Sequence, residues 1–200
     1  MPRRPKFSET QIIDAAGALV AAEGPDAATI GAIGARLEAP SGSIYHRFAT
    51  RDVLLGRLWL GNAAFFQNRF VAALENPDAR AAGLAAALSI AAAARADFRG
   101  ARIMLLYRRE DFLSEKWPAS MTAEAARLSA QVETALRDIT RRLFGRVTPR
   151  ALRRATFAVL DVPFAAVRRH VAANEPPPLF VDELVRSAYG ALIPRRRREP

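Results

Sequence analysis

The chain has 200 residues, half of them hydrophobic and a quarter charged, which suits one large domain or two small ones and is unlike a disordered tail. About a fifth is alanine, a strong helix former, while strand-favouring β-branched and aromatic residues are scarce, so an all-α fold is predicted. With no cysteine, disulfide scaffolds, thiol catalysis, zinc fingers and iron–sulfur clusters are excluded.

A formal charge of +10 points to nucleic acid only where it is concentrated. About +1 falls on residues 1–58, about +6 on 59–194 and about +3 on 195–200, so net charge alone assigns no partner. The opening Met1-Pro2-Arg3-Arg4-Pro5-Lys6 is basic with no apolar stretch after it, and no signal peptide is expected. The longest apolar run, Ala81 to Ala94, is too short to span a bilayer. A soluble, cytoplasmic protein with no membrane partner is expected.

Ser8-Glu9-Thr10-Gln11 reads as a capping box. Ile12, Ile13, Ala16, Leu19 and Val20 follow at helical spacing until Gly24-Pro25-Asp26 stops the first helix. A short second helix starts near Thr29 and carries Ile30, Ile33 and Leu37 on one side. Glu38-Ala39-Pro40 is a turn, and a third short helix runs from about Pro40 to Arg47. Thr50 caps a long fourth helix, about 50–75, on which Trp59, Ala63, Phe66 and Phe70 share a face. Further helices are predicted at about 79–98, 100–114, 120–145, 149–173 and 180–192. Their breaks fall at Asn76-Pro77-Asp78, Gly100, Trp117-Pro118, Gly145, Thr148-Pro149 and Pro176-Pro177-Pro178. Thr148 is a cap with Pro149 at the first helical position, and Pro163 predicts a kink or local opening in the eighth helix. The expectation is about nine helices with no internal repeat.

Two short helices joined by a tight turn, the second polar and glycine-bearing, describe a helix-turn-helix. The second reads Pro40-Ser41-Gly42-Ser43-Ile44-Tyr45-His46-Arg47-Phe48. Only Ile44 and Phe48 anchor it, so the opposite face presents small polar groups. Gly42 lets the backbone approach a DNA strand closely. Ser41 and Ser43 suit phosphates or base edges, and Tyr45, Arg47 and Arg51 are phosphate-type donors. A corner of a helical bundle is the competing reading of this short helix, and a plain surface role is that of His46.

Thr29-x-x-x-Ile33, then Ser41-Gly42-Ser43-Ile44-Tyr45-His46-Arg47-Phe48, then Thr50-Arg51-Asp52-x-Leu54, resembles the TetR family of bacterial transcriptional regulators, and Ala15-Ala16-x-x-Leu19 and Gly24 agree. The likeness covers roughly residues 10–55. It implies a homodimer whose recognition helices enter successive major grooves of a pseudo-palindromic operator on double-stranded DNA. It also implies a C-terminal domain that binds a small molecule and releases the DNA. By position, Tyr45 and Arg51 would hold phosphate, Ser41, Ser43 and His46 would lie at base edges, and Thr29 would cap the second helix. Glu38 stands where the family usually has a turn glycine, Pro40 where it has a hydroxyl cap, and Gly34 where it has alanine. The domains expected are 1–50 for DNA binding, 51–194 for ligand binding and dimerisation, and a basic tail at 195–200. The Arg3/Arg4/Lys6 arm follows DNA or is an idle terminus, and the Arg195–Arg198 run is a solvated tail or adds non-specific DNA affinity.

Trp59, Phe66, Phe70, Met104, Tyr107, Phe112, Trp117, Met121, Phe157, Asp161 and Phe164 are candidates to line a largely apolar ligand pocket, with Arg108 and His170 as further polar handles. Ordinary core packing is the competing reading of each. Phe157, Leu160, Phe164, Val167 and Val171 step three and four along the eighth helix, and Val181, Leu184, Val185, Ala188 and Leu192 do so along the ninth. The resemblance implies that these two helices pair with their copies as the dimer interface.

No Walker-type loop, Gly-x-Gly-x-x-Gly, His-Glu-x-x-His, nucleophile elbow or Glu-x-x-His occurs. No catalytic residue, metal or cofactor is expected. The function expected is a sequence-specific regulator, a repressor released by a small molecule. The alternative is a helical binding protein that no longer reads DNA.

Overall fold

The computed structural model describes residues 7–193; the Arg3/Arg4/Lys6 arm and the Arg195–Arg198 run lie outside the described residues. Among the described residues there are helices and no strand: α1 (Glu9–Glu23), α2 (Ile30–Leu37), α3 (Ser41–Tyr45), α4 (Arg51–Ala73), α5 (Ala79–Ala96), α6 (Phe98–Leu106), α7 (Ala119–Phe144), α8 (Pro149–Thr156), α9 (Val162–Ala172) and α10 (Phe180–Leu192). A π-helical turn, Phe157–Asp161, joins α8 to α9, so these two are the single eighth helix of the sequence reading and the described helices number nine.

Local capping chemistry sets most of the starts. The Ser8 backbone N–H donates to Gln11 Oε1 at 2.9 Å and the Gln11 N–H to Ser8 Oγ at 3.2 Å, the predicted reciprocal box. Thr29 caps α2 by accepting from the Ala32 N–H at 3.1 Å. Thr50 caps α4 through the Val53 N–H at 3.1 Å. Thr148 caps α8 through the Ala151 N–H at 3.1 Å, with Pro149 next to it.

The sixth helix differs from its prediction. Its break is at Asp97, the C-cap of α5, and Gly100 is buried inside α6 rather than ending a helix. α6 stops at Leu106 because Arg108 is extended and its N–H donates to Asp111 Oδ2 at 2.8 Å. That carboxylate offers the backbone a partner outside a helix, and residues 109–111 form a 3-10 turn instead.

The opening expected at Pro163 is the π turn, in which the Val162 N–H donates to the Phe157 carbonyl five residues back. A proline lacking its N–H fits such a register. One extra residue in a turn rotates everything downstream by roughly 100° relative to a straight α-helix. The predicted stripe along the eighth helix is therefore divided: Phe157, at the start of the turn, is 47% exposed, while Val167 and Val171 beyond it are fully buried; Phe164, also beyond it, keeps 41% exposure.

Two compact units result, Met1–Ala64 with Arg99–Ala126, and Phe65–Phe98 with Arg127–Pro200. In the first, α1, α2, α3 and the start of α4 enclose Ile12, Ala16, Val20, Ile33, Ile44 and Leu54. Arg99 pairs with Asp14 at 2.8 Å, and Arg102 Nε donates to the Ala21 carbonyl at 2.7 Å. In the second, α5 packs on α9 and α10. Arg95 grips both carboxylate oxygens of Asp182, at 3.1 and 2.9 Å. The Tyr189 hydroxyl donates to the Arg80 carbonyl at 3.1 Å, and burial pushes its pKa up to about 12.

α5 extends the apolar run to 18 residues with a mean hydropathy of 1.2, so by length and composition it does reach a membrane-spanning size, contrary to the sequence estimate. Its surroundings are those of a core helix. Ala82, Ala86, Ala87, Ala91 and Ala94 are buried within the unit, and Arg80 and Arg95 near its ends are engaged by Ile193 and Asp182.

Candidate functional site

α2, the 38–40 turn and α3 form the helix-turn-helix expected from sequence. Ile33, Ile44 and Phe48 are buried and hold α3 down. The turn folds back so closely that the Ala39 N–H reaches the Gly34 carbonyl at 2.9 Å, and a Cβ at Gly34 would lie 2.8 Å from the Ala39 oxygen. This contact is the physical reason for glycine where alanine was expected. Glu38 occupies the left-handed region at φ 52°, ψ 39°, where a side chain costs about 1–2 kcal/mol. Glu38→Gly is expected to raise stability by about 1 kcal/mol, measured as a higher midpoint in urea unfolding with unchanged slope.

α3 is shorter than the expected 40–47: Pro40 is extended and precedes it as the N-cap, its carbonyl accepting from the Ser43 N–H at 2.9 Å. Ser41, Gly42, Tyr45 and His46 are exposed, with Tyr45 at 54%, while Ser43 and Arg47 are half-buried. No atom comes within 4 Å of a Cβ built on Gly42, so this face is open to close backbone approach. Thr29 is exposed at the α2 N-terminus.

Arg51 differs from the rest of the expected DNA-facing set. Its Nε donates to the Ala28 carbonyl at 3.0 Å and its Nη2 to the Pro25 carbonyl, so the guanidinium fork closes the α1–α2 connection onto the first turn of α4. Beside it, the Ser114 hydroxyl donates to Asp52 Oδ2 at 3.0 Å and the Trp117 Nε1–H to the Asp52 carbonyl at 3.2 Å. The sequence reading singled out Trp117 but neither Ser114 nor Asp52 as its partner.

The expected pocket residues do not form one set. Trp59, Met104, Tyr107, Phe112, Trp117 and Met121 belong to the first unit. Its cavity of about 580 Å³ is lined by Arg109, Leu113, Ser114, Glu115, Trp117, Thr122, Ala125 and Ala126, and only Trp117 is common to both sets. Arg109 lies 5.4 Å over the Trp59 ring. Phe66, Phe70, Phe157, Asp161 and Phe164 belong to the second unit. Phe70 is buried, whereas Phe157, Asp161 and Phe164 are on the surface. This unit has a groove of about 500 Å³ lined by Val71, Arg127, Ala130, Gln131, Thr134, Ala135 and Asp138, none of them in the predicted set. Two buried acceptors, the side-chain oxygens of Gln67 and Gln131, have no hydrogen-bond partner, and each such orphan costs about 1–3 kcal/mol. The sequence signal for Gln131 was a glutamine bordering the apolar stripe of α7, between Leu128 and Ala135; Gln67, on α4, carried none.

The expected dimer residues divide in the same way. Val167, Val171, Val181 and Val185 are buried inside the unit, which closes them to a partner surface, and the π turn explains the first two. Phe157, Leu160, Phe164, Leu184, Ala188 and Leu192 keep exposed area, joined by Leu179 at 73% and Phe180 at 52%. Among the described residues no group of three or more acidic or histidine side chains could hold a metal ion.

Residues 12–58 match the family model of bacterial regulatory proteins, tetR family. No curated protein matches the sequence. Among solved structures the chain is similar to PfmR, a TetR family transcriptional regulator from Thermus thermophilus, with a TM-score of 0.71 and 16% identity over 97% of this chain and 100% of that one. It is similar to the fatty acid degradation regulator FadR from Bacillus halodurans, with a TM-score of 0.69 and 16% identity over 100% of both chains. It is also similar to the transcriptional regulator FadR from Bacillus subtilis in complex with stearoyl-CoA, with a TM-score of 0.69 and 17% identity over 93% of this chain and 98% of that one. At these identities the likeness shows a shared fold.

Proposed function

We propose, for a chain whose residues 12–58 match the family model of bacterial regulatory proteins, tetR family, a homodimeric, cytoplasmic, sequence-specific DNA-binding regulator, a repressor that a small molecule releases from a palindromic operator. The observation that carries this reading is the open polar face of α3, with Ser41, Gly42, Tyr45 and His46 exposed above buried Ile44 and Phe48. Ser41, Ser43 and His46 read base edges, Tyr45 and Arg47 hold phosphates, Gly42 admits the backbone to the strand, and Thr29 keeps the α2 N-terminus ordered beside it. Arg51 adds positive charge to the same head. In domain terms, 1–50 reads DNA and 51–194 carries effector and dimer functions. The exposed apolar side chains of Phe157, Phe164, Leu179, Phe180 and Leu184 support dimerisation through α9, α10 and the π turn.

A largely apolar effector suits the cavity and the groove described above, and the stearoyl-CoA complex of the Bacillus subtilis protein is consistent with a partly apolar ligand. Release is a population shift: the effector favours a spacing of the two heads that fits successive major grooves less well. Helix α4 is the proposed hinge, since one continuous helix runs from Arg51 to Ala73. The second reading, a binding protein that no longer reads DNA, is favoured by the exposed carboxylate of Glu38 beside α3 and by the nearly neutral head, about +1 over residues 1–58.

The test is a fluorescence-anisotropy titration against the gene's own upstream region near 0.15 M salt, with scrambled duplex as competitor. Binding that resists the competitor is expected; binding that follows salt and ignores sequence, there and in a genome-wide selection, supports the second reading. Ser43→Ala is expected to change preference at one operator position by about tenfold while leaving the others. A uniform loss at every base would remove Ser43 from base reading.

A further inference from the structure

We propose that the exposed arginine face of α8 is a second, sequence-independent contact for the phosphate backbone of duplex DNA, carried by the second unit and separate from the recognition helix. Charge points to a partner where it is concentrated. Residues 139–160 hold six arginines, at 141, 142, 146, 150, 153 and 154, and no aspartate or glutamate. That is the whole excess of about +6 on residues 59–194, and the rest of that stretch balances. Three of the six are engaged by the fold. Arg141 lies 3.7 Å from Asp138, Arg142 donates to the Leu74 carbonyl at 2.7 Å, and Arg154 Nε donates to the Leu192 carbonyl at 2.6 Å. The other three, Arg146, Arg150 and Arg153, are exposed and make no hydrogen bond or ion pair among the described residues.

Among the described residues nothing offsets the repulsion in this arrangement. Arg150 stands in the first turn of α8, where the positive end of the helix dipole disfavours a cation. Arg153 and Arg154 follow three and four residues later on the same side, so like charges meet with no carboxylate between them. Glutamine at these positions would keep the helix and remove the repulsion. A phosphate backbone offsets it, with one negative charge per roughly 1.7 Å of duplex axis, and each guanidinium fork fits a phosphate through two hydrogen bonds. The apolar side chains of α8 are turned inward, with Leu152 half-buried and Ala155 fully buried. The exposed ring at its end, Phe157, belongs to the dimer face proposed above. α8 therefore offers no apolar surface of its own to a bilayer, which favours nucleic acid over an anionic membrane.

The test is the salt dependence of binding to a scrambled duplex, where base reading contributes nothing, with the full-length protein. Arg150→Gln combined with Arg153→Gln is expected to melt at the parent's temperature or higher and to keep its oligomeric state. The salt slope is expected to fall by about two per subunit, and affinity near 0.1 M salt by roughly tenfold. Arg150→Lys with Arg153→Lys should restore the slope, which depends on charge. The Arg195–Arg198 run is common to every variant and cancels in the comparison. An unchanged slope in the glutamine variant would overturn the proposal. So would its dissociation into monomers, which assigns the arginines to a second copy of the chain. Arginine-dependent capture by phosphatidylcholine–phosphatidylserine vesicles in place of duplex would also overturn it and assign them to lipid. A parent with no operator preference but an arginine-dependent slope would reject the regulator proposed above and leave this contact standing; operator preference with an unchanged slope would do the reverse.

Discussion

Gly56→Ala is expected to lower the melting temperature by roughly 6–12 °C, the equivalent of about 3 kcal/mol in a chain of this size. In an ordinary helix interior the same change would stabilise by about 1 kcal/mol through helix propensity, so the sign itself is the test. A Cβ at Gly56 would sit 2.5 Å from Trp117 Nε1 and 2.6 Å from Met121 Cε. Met121 is fully buried and Trp117 nearly so, so relieving the clash means shifting the indole toward the cavity it lines. Displacing the indole also breaks its bond to the Asp52 carbonyl in the first turn of α4, which adds the cost of an orphaned donor. Thermal melting followed by circular dichroism measures the loss. Trp117→Leu in the Gly56→Ala background should return part of it, because the smaller side chain vacates the contact. A Gly56→Ala protein that melts with the parent would show that the indole shifts without cost.

Arg51→Ala is expected to lower the melting temperature by roughly 4–12 °C, about 2–3 kcal/mol. The two bonds lost are charge-assisted and join parts of the chain 23 and 26 residues apart. Their loss leaves the carbonyl of fully buried Ala28 without its guanidinium. Arg51→Lys keeps the charge but replaces a planar fork by a single ammonium, so it should recover less than half of the lost stability. DNA binding separates the two roles. Arg51→Ala is expected to weaken all duplexes alike and reduce the salt slope by about one per subunit. Arg51→Lys should restore that slope while the melting temperature stays low. If both variants melt like the parent, the fork carries no stability and Arg51 acts through phosphate alone.

The chain order of helices was legible because its signals are local. A capping hydroxyl and the N–H it receives are three residues apart at Ser8, Thr29, Thr50 and Thr148, and a helix face repeats within a turn. The recognition-helix segment was legible for the same reason, since Ile44 and Phe48 stand four apart with small polar residues between them. Arg51 has a second role that is not legible: an arginine at a helix start reads as a phosphate donor, and only the fold brings the carbonyls of residues 25 and 28 beneath it. The stripe along the eighth helix changes phase partway. Residues 157–171 keep α-helical spacing on paper, but the π turn at 157–161, just before Pro163, rotates Val167 and Val171 inward.

By itself, then, the sequence determined the helices, their caps, the breaks at proline and most glycines, and the polar face of α3, because those depend on neighbours within about one turn. Tertiary structure decided which groups meet across long stretches of chain. It set Trp117 against Asp52 across 65 residues, required glycine at 34 and 56 through close approach, and left Gln67 and Gln131 buried with unmet acceptors. Such outcomes follow from packing and desolvation, which depend on what surrounds an atom in space and not on its neighbours in the chain.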